Sequence, residues 1–376
     1  MWRGGRGRRT ENGERGAGVG KLGFWPRGWW DWSIRFGMPQ CAPYPLLFEP
    51  LLLEKVWGGD ALARVGKAVK AGARVGESWE LADLAATSAS GAGGGAARSV
   101  IRNGELAGKT LHQAVGAWGP LLMGDVVPTG SGGFPLLIKF LDARENLSVQ
   151  VHPSPAYCRM YPTAHLKTEC WYILSAERGA KIYKGVKPGV TRAEFAAALR
   201  EHDGSGVVEL LESVDAVVGE CHNLPSGTVH ALGAGVLVAE VQTPSDTTFR
   251  VYDWGRSGRE LHVEQSLTCI QWEQARDATK FKVGAAFTRL VTTGYFDLDE
   301  LRPASGAVSG LSHEQPVKRP VVLMLVSGVG ELRSSEGKFA AMQLRAGDTA
   351  LVPDAVARGL EFVAGEGSVV LRATPR

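Results

Sequence analysis

The sequence predicts a mainly β protein of two jelly-roll barrels with a few short helices inserted. Short apolar or alternating runs recur along the 376 residues, and the 49 glycines favour many turns over long helices. Leu147-Ser-Val-Gln-Val-His-Pro153 alternates strictly, which is the period of a half-buried strand. Gly219-Glu-Cys-His-Asn-Leu-Pro225 is echoed by Gly347-Asp-Thr-Ala-Leu-Val-Pro353, so a second unit repeats the style of the first.

The elements follow in chain order. Residues 1–37 are Arg/Gly-rich and then Trp-rich (Trp25, Trp29, Trp30, Trp32), without a helical or strand period. They are expected to be a disordered extension, or an overlong start with Met38 as the true one; the rival is an Arg/Trp tail that touches membrane or RNA. The folded part opens at Tyr44, and Trp57-Gly-Gly59 is expected to turn. Gly76–Ala82 alternates as a strand, and 85–98, rich in Ala, Gly and Ser, is expected to be a flexible loop. Thr110-Leu-His-Gln113 and Thr191-Arg-Ala-Glu194 are capping boxes that start helices. Phe134–Leu141 reads as a buried strand, followed by strands at Val236–Gln242 and Thr248–Tyr252. From about residue 281 to 376 short strands restart as a separate barrel. That barrel has no His after Pro353, whereas Pro225 is followed by His230, so it is expected to be metal-free.

Composition narrows the function. Of the net charge of +3, residues 1–37 carry eight Lys/Arg and three Asp/Glu, which leaves the other 339 residues near −2. The folded part therefore gives no reason to expect a nucleic-acid partner. No apolar run reaches a membrane-spanning length of about 18 residues, and the N-terminus lacks a secretory core. Five cysteines without regular spacing predict reduced thiols and a cytoplasmic location.

The chemistry gathers on three segments. Successive strand side chains face opposite ways, so Ser148, Gln150 and His152 share one face, and Leu147, Val149 and Val151 the other. Pro225-Ser-Gly-Thr-Val-His-Ala231 adds a second His after a tight turn. In Lys167-Thr-Glu-Cys-Trp-Tyr-Ile-Leu174, Lys167 and Glu169 share a face. A Gln, two His and a Glu on strands form a candidate metal site. Lys139, alone in an apolar run, needs a partner or an opening to water. His112, His165, His202, His222, His262 and His313 receive no role. Cys158 and Cys170 are expected to pack.

Trp57-Gly-Gly59, Gly76-Glu-Ser-Trp-Glu80, Phe134-Pro-Leu-Leu-Ile-Lys139, Ser148-Val-Gln-Val-His-Pro153, Lys167-Thr-Glu-Cys-Trp-Tyr172, Pro225-Ser-Gly-Thr-Val-His-Ala231 and Arg250-Val-Tyr-Asp-Trp-Gly-Arg256 resemble the type I mannose-6-phosphate isomerases, most closely their short bacterial form. These are cupins. The resemblance covers about 44–265 strongly and the C-terminal barrel weakly. It implies a catalytic zinc-binding domain over 38–280 and one Zn2+ bound by Gln150, His152, Glu169 and His230. It also implies interconversion of mannose 6-phosphate and fructose 6-phosphate by proton transfer through an enediol. Arg250 matches the family's active-site arginine. Glu240 matches an acidic residue beside the site, although a simple pairing with Arg250 is the alternative. Lys139, Ser148 and Lys167 match residues lining the phosphate end, and Lys167 is also a catalytic candidate.

Two positions depart from the longer members. Leu232 replaces a Tyr, and Arg256 replaces a Lys, keeping the charge but not a lysine's point geometry. The competing functions are an iron-dependent cupin oxygenase and a sugar-phosphate-binding cupin without turnover.

Overall fold

The computed structural model of the chain describes residues 41–376 apart from 89–91, 202, 274–280, 284–286 and 312–317. The tail at 1–37, His202 and His313 lie outside the described residues, and so does residue 280, where the two units were expected to join. The fold is mainly β, with several antiparallel sheets and short helices.

Four sheets are stacked through their side chains. The first has five strands in the order Leu211–Asp215, Lys181–Val186, His230–Leu232, Val149–Val151, Phe249–Tyr252. The second has six, in the order Cys221–Leu224, Glu169–Ala176, Val236–Gln242, Leu137–Ala143, Val75–Leu81, Leu51–Gly59. Leu141, Trp171, Ile173 and Val238 of the second meet Ile182 and Leu232 of the first in one apolar cluster. The outer face of the first sheet (Val149, Val151, Ala231, Val251) is covered by Phe195 of the helix Arg192–Arg200 and Leu267 of the helix Val263–Cys269.

The outer face of the six-stranded sheet, with Ile138, Phe140, Tyr172 and Ala239, packs on Leu298, Val322, Leu351 and Leu371. These belong to a third sheet of eight strands, which in turn faces a fourth sheet of four across Leu323, Val352, Leu332 and Phe362. Every sheet thus buries at least one apolar face, which supplies most of the stabilising area.

Both capping boxes form. Thr110 and Thr191 accept the backbone N–H of Gln113 and Glu194, whose side chains accept the cap N–H in return, opening the helices Leu111–Trp118 and Arg192–Arg200. The Gly219/Gly347 echo is also structural. Both glycines have a left-handed φ, at 85° and 90°, and each precedes a strand, Cys221–Leu224 and Thr349–Val352.

Three local expectations change. Trp57-Gly-Gly59 does not turn but ends the strand Leu51–Gly59. A Cβ at Gly58 would stand 2.4 Å from the Gly76 nitrogen, so the glycine serves close backbone approach. Leu147 packs inside with Trp171 instead of sharing the face of Val149, because the strand begins only at Val149. Within 85–98, Ala97–Arg98 pairs with Asp83–Leu84.

One strand from the first expected unit, 38–280, pairs with strands of the second, 281–376. Leu46–Glu49 lies in the eight-stranded sheet, with Leu46 opposite Leu351, and Phe48 pairs onward with Ile101. The N-terminal segment therefore completes the sheet of the C-terminal unit. Lys67 adds a polar tie. Its Nζ donates to Glu80 Oε2 at 2.6 Å and to the Gly347 carbonyl at 2.6 Å, and lies 5.0 Å from the Phe140 ring centroid. Removing one partner of a buried ion pair leaves an uncompensated charge, so Lys67→Ala is expected to cost about 3 kcal/mol in chemical denaturation. A loss within the scatter of surface substitutions would show that the tie is idle.

Glu77, on the inner face of the six-stranded sheet, gives a pH test. Burial works to raise its carboxyl, but Lys139 and Lys55 outweigh it and hold the group at about 2, against an ordinary 4.5. The unfolded carboxylate takes up its proton near 4.5 and the folded one only near 2. The stabilisation is therefore complete above 4.5 and lost as pH falls toward 2. Glu77→Gln should be less stable than the parent at neutral pH, and the gap should close by about pH 2. A gap that is constant with pH would contradict the ion-pair origin.

Candidate metal centre

Strand register brings the predicted residues to one place. His230 lies directly opposite Gln150, and Gln150 opposite Arg250, so the three share one rung of the five-stranded sheet and face inward. Across the interior, Glu169 pairs with Gln242 in the six-stranded sheet. His152 follows one residue after the strand Val149–Val151. His152, Glu169 and His230 are all buried, and their candidate ligand atoms lie within 4.8 Å of one another. Glu169 Oε1 stands 3.1 Å from His230 Nε2 and 3.5 Å from His152 Nε2, and the Gln150 amide nitrogen lies 3.3 Å from His230 Nε2.

Hydrogen bonding sets which ring nitrogens face the centre. His152 Nδ1 is 3.0 Å from the Thr247 carbonyl, and His230 Nδ1 is 2.8 Å from the Thr228 carbonyl. A carbonyl only accepts, so each Nδ1 carries a hydrogen and each ring, in its neutral form, turns an Nε2 lone pair inward. His152 Nε2 and Glu169 Oε1 have no hydrogen-bond partner among the described residues. Two lone pairs and a carboxylate thus converge in a buried space with no proton between them, an arrangement that a bound cation relieves. The Gln150 amide, turned over, presents its oxygen to the same point.

The electrostatics agree. Burial, helped by the charge of Lys167, pushes the His152 imidazole down to about 3, which keeps it neutral. Burial opposes ionisation of Glu169, yet the Lys167 ammonium holds its carboxyl well below the usual range. Lys167 is buried, 4% exposed, with Nζ 2.9 Å from Glu169 Oε2. Neutral imidazoles, one carboxylate and one amide oxygen are a donor set that divalent zinc accepts.

One step along both sheets, the cleft changes character. Lys139 pairs in register with Glu240, and its Nζ lies 3.2 Å from Glu240 Oε1 and 3.6 Å from Glu77 Oε2. Glu240 Oε2 accepts the Trp171 indole N–H at 2.8 Å. The cation partner of Glu240 is therefore Lys139, not Arg250. Arg250 instead donates through Nη1 to the Glu260 carbonyl at 2.8 Å, while its Nε is buried without a hydrogen-bond partner among the described residues. Ser148, Lys139, Lys167, Gln150, Glu240 and Arg250 all line this one cleft.

Several neighbours had no sequence motif to mark them. The carbonyls that orient the two imidazoles belong to loop threonines, and backbone acceptors leave no trace in residue identity. Gln242 is fully buried; its amide nitrogen donates to the Thr243 and Ser245 carbonyls, at 2.8 and 2.5 Å. Its position was available from alternation with Glu240. His262, given no role, braces Arg250: its Nδ1 accepts the Arg250 backbone N–H at 3.2 Å. At the two departures, Leu232 fills the apolar cluster, and Arg256 donates to the Asn146 carbonyl at 2.6 Å and to Asp253 at 3.1 Å. Cys170 packs in the core between the second and third sheets, and all five cysteines are free thiols. Among the described residues no helix is long and apolar enough to cross a membrane.

Comparison with known proteins places these features in a family. Residues 49–179 match the phosphomannose isomerase type I catalytic domain. Mannose-6-phosphate isomerase ManA of Bacillus subtilis is 33% identical over 329 residues, covering 82% of this chain and 93% of that protein. The mannose-6-phosphate isomerase of Streptococcus mutans is 32% identical over 321 residues, covering 83% and 93%. The crystal structure of the Bacillus subtilis mannose 6-phosphate isomerase superposes with a TM-score of 0.72 at 27% identity, covering 88% of this chain and 99% of that one. A zinc-bound mannose 6-phosphate isomerase shares the fold at 16% identity, with a TM-score of 0.65 over 88% and 99%. With full-length relatives at this level of identity, the chain belongs to the type I phosphomannose isomerases.

Proposed function

We propose that the chain interconverts mannose 6-phosphate and fructose 6-phosphate by proton transfer between C1 and C2 through an enediol, with one zinc held by Gln150, His152, Glu169 and His230. The observation that carries this reading is the convergence of two imidazole lone pairs and a carboxylate beside a cleft lined with cations. When bound, the zinc supplies a Lewis acid for the sugar oxygens. Arg250 presents a buried, unpartnered Nε–H for the oxyanion that develops at the reacting carbons. Lys167 keeps Glu169 ionised and offers an ammonium at the same end. Glu240, buried, lies two residues along the strand from Gln242, which pairs with Glu169, and Lys139 and the Trp171 indole fix its position.

Lys139 and Ser148 would take the phosphate. Lys139 pairs with Glu240, two residues along the strand from Gln242, which lies opposite Glu169, and Ser148 is two residues before Gln150; two strand residues rise roughly 7 Å. That is the scale of a six-carbon chain running from a reacting carbonyl end to a phosphate. We also read the stacked sheets as two jelly-roll barrels. The catalytic one is drawn mainly from 38–280, and the metal-free one from 281–376 completed by Leu46–Glu49.

Assay of mannose 6-phosphate conversion with and without chelator, in air and under argon, tests the reading. Activity should be lost with chelator, return with zinc and be indifferent to oxygen. His230→Ala should lose bound metal and drop kcat/KM by at least about a thousandfold while remaining folded. Oxygen-dependent turnover would favour the oxygenase, and tight sugar-phosphate binding without turnover the binding protein. Zinc at full occupancy in His230→Ala would remove His230 from the ligand set.

A further inference from the structure

The cation-lined end of the cleft holds an arginine that neither the motifs nor the reading above uses. Arg259 lines the cleft together with Lys139, Ser148 and Arg250. Its guanidinium is clamped by Asp253: Nε donates to Oδ2 at 2.7 Å, and Nη2 donates to Oδ1. Asp253 is 2% exposed, so the clamp is anchored in the fold. Neither bond uses Nη1. Asp253 is also shared, since Arg256 reaches Oδ1 at 3.1 Å, and one carboxylate therefore faces two guanidinium groups. The positive charge of Arg259 is only partly offset.

Register and the cleft lining locate this group. Tyr252, the residue before Asp253, lies opposite Val149, the residue after Ser148, and Arg259 and Ser148 line the same cleft. Arg250, 7% exposed, lines the same cleft and adds a second guanidinium to its charge. A planar fork with Nε and Nη2 each holding Asp253 and the N–H groups of Nη1 left over is suited to an oxyanion with several acceptors.

We propose that Arg259, braced by Asp253, is a specificity-determining residue that binds the phosphate of the substrate alongside Lys139 and Ser148. The proposal rests on the sugar-phosphate reading for the identity of the anion. It differs from that reading in assigning a residue outside the recognised motifs.

The test uses full-length, zinc-loaded protein and two readouts: inorganic phosphate binding by calorimetry, and steady-state kinetics with mannose 6-phosphate. Arg259→Ala should weaken phosphate binding and raise KM by about tenfold or more, with kcat within about threefold. Arg259→Lys, which keeps the charge but loses the fork, should fall between the two. A purely structural role would lower Tm and kcat and leave phosphate affinity unchanged, which would overturn the proposal. Should Arg259→Ala fail to fold, Arg259→Lys decides alone: parental phosphate affinity there overturns the proposal, and a clear loss supports it. A parent that does not bind phosphate also overturns it. A parent that binds phosphate through Arg259 but does not isomerise the sugar would remove the activity reading and leave this one standing.

Discussion

Two imidazole lone pairs and one carboxylate face each other in a buried space with no hydrogen between them, and the rest of the molecule is arranged around that constraint. Left alone, such a cluster is repulsive and poorly solvated, and the ordinary remedy is protonation. Here protonation is opposed at two of the groups. The Thr247 and Thr228 carbonyls accept the Nδ1 hydrogens and leave Nε2 as the inward atom, burial keeps His152 neutral, and Lys167 holds Glu169 ionised. The other remedy is a cation, and the ligand atoms of His152, Glu169 and His230 lie close enough to share one.

Holding that arrangement needs a stiff frame. The centre lies between two sheets whose interior is apolar at one end, with Trp171, Leu232 and Val238, and polar at the other. The six-stranded sheet is backed by the third sheet and the five-stranded sheet by two helices, so neither wall can shift without exposing core. The unit completed by the N-terminal strand Leu46–Glu49 is part of this backing. Its contribution to the site is mechanical: it supports the face opposite Glu169 on the strand that carries Glu169.

Much of this was legible in the sequence, for identifiable reasons. Period-two alternation put Gln150 and His152 on one face and Lys167 near Glu169, because strand geometry leaves little freedom. A lysine in the apolar run Phe134–Leu141 announced a partner, and the structure supplies Glu240 and Glu77. Capping boxes marked two helix starts, since the cap is a local interaction. Long-range facts were less accessible. That Leu46–Glu49 crosses to the distant sheet depends on pairing with Thr349–Val352, which no local pattern encodes. The Trp57-Gly-Gly59 turn failed because glycine serves close backbone approach as well as turning. Backbone carbonyls that orient the imidazoles have no residue type at all.

X-ray absorption at the zinc edge of protein loaded with one equivalent of zinc is the most direct check on the central claim. The account predicts a first shell of nitrogen and oxygen only, at about 2.0–2.2 Å, with the outer-shell scattering of two imidazoles. A sulfur shell near 2.3 Å, or scattering from fewer than two imidazoles in the parent, would contradict it.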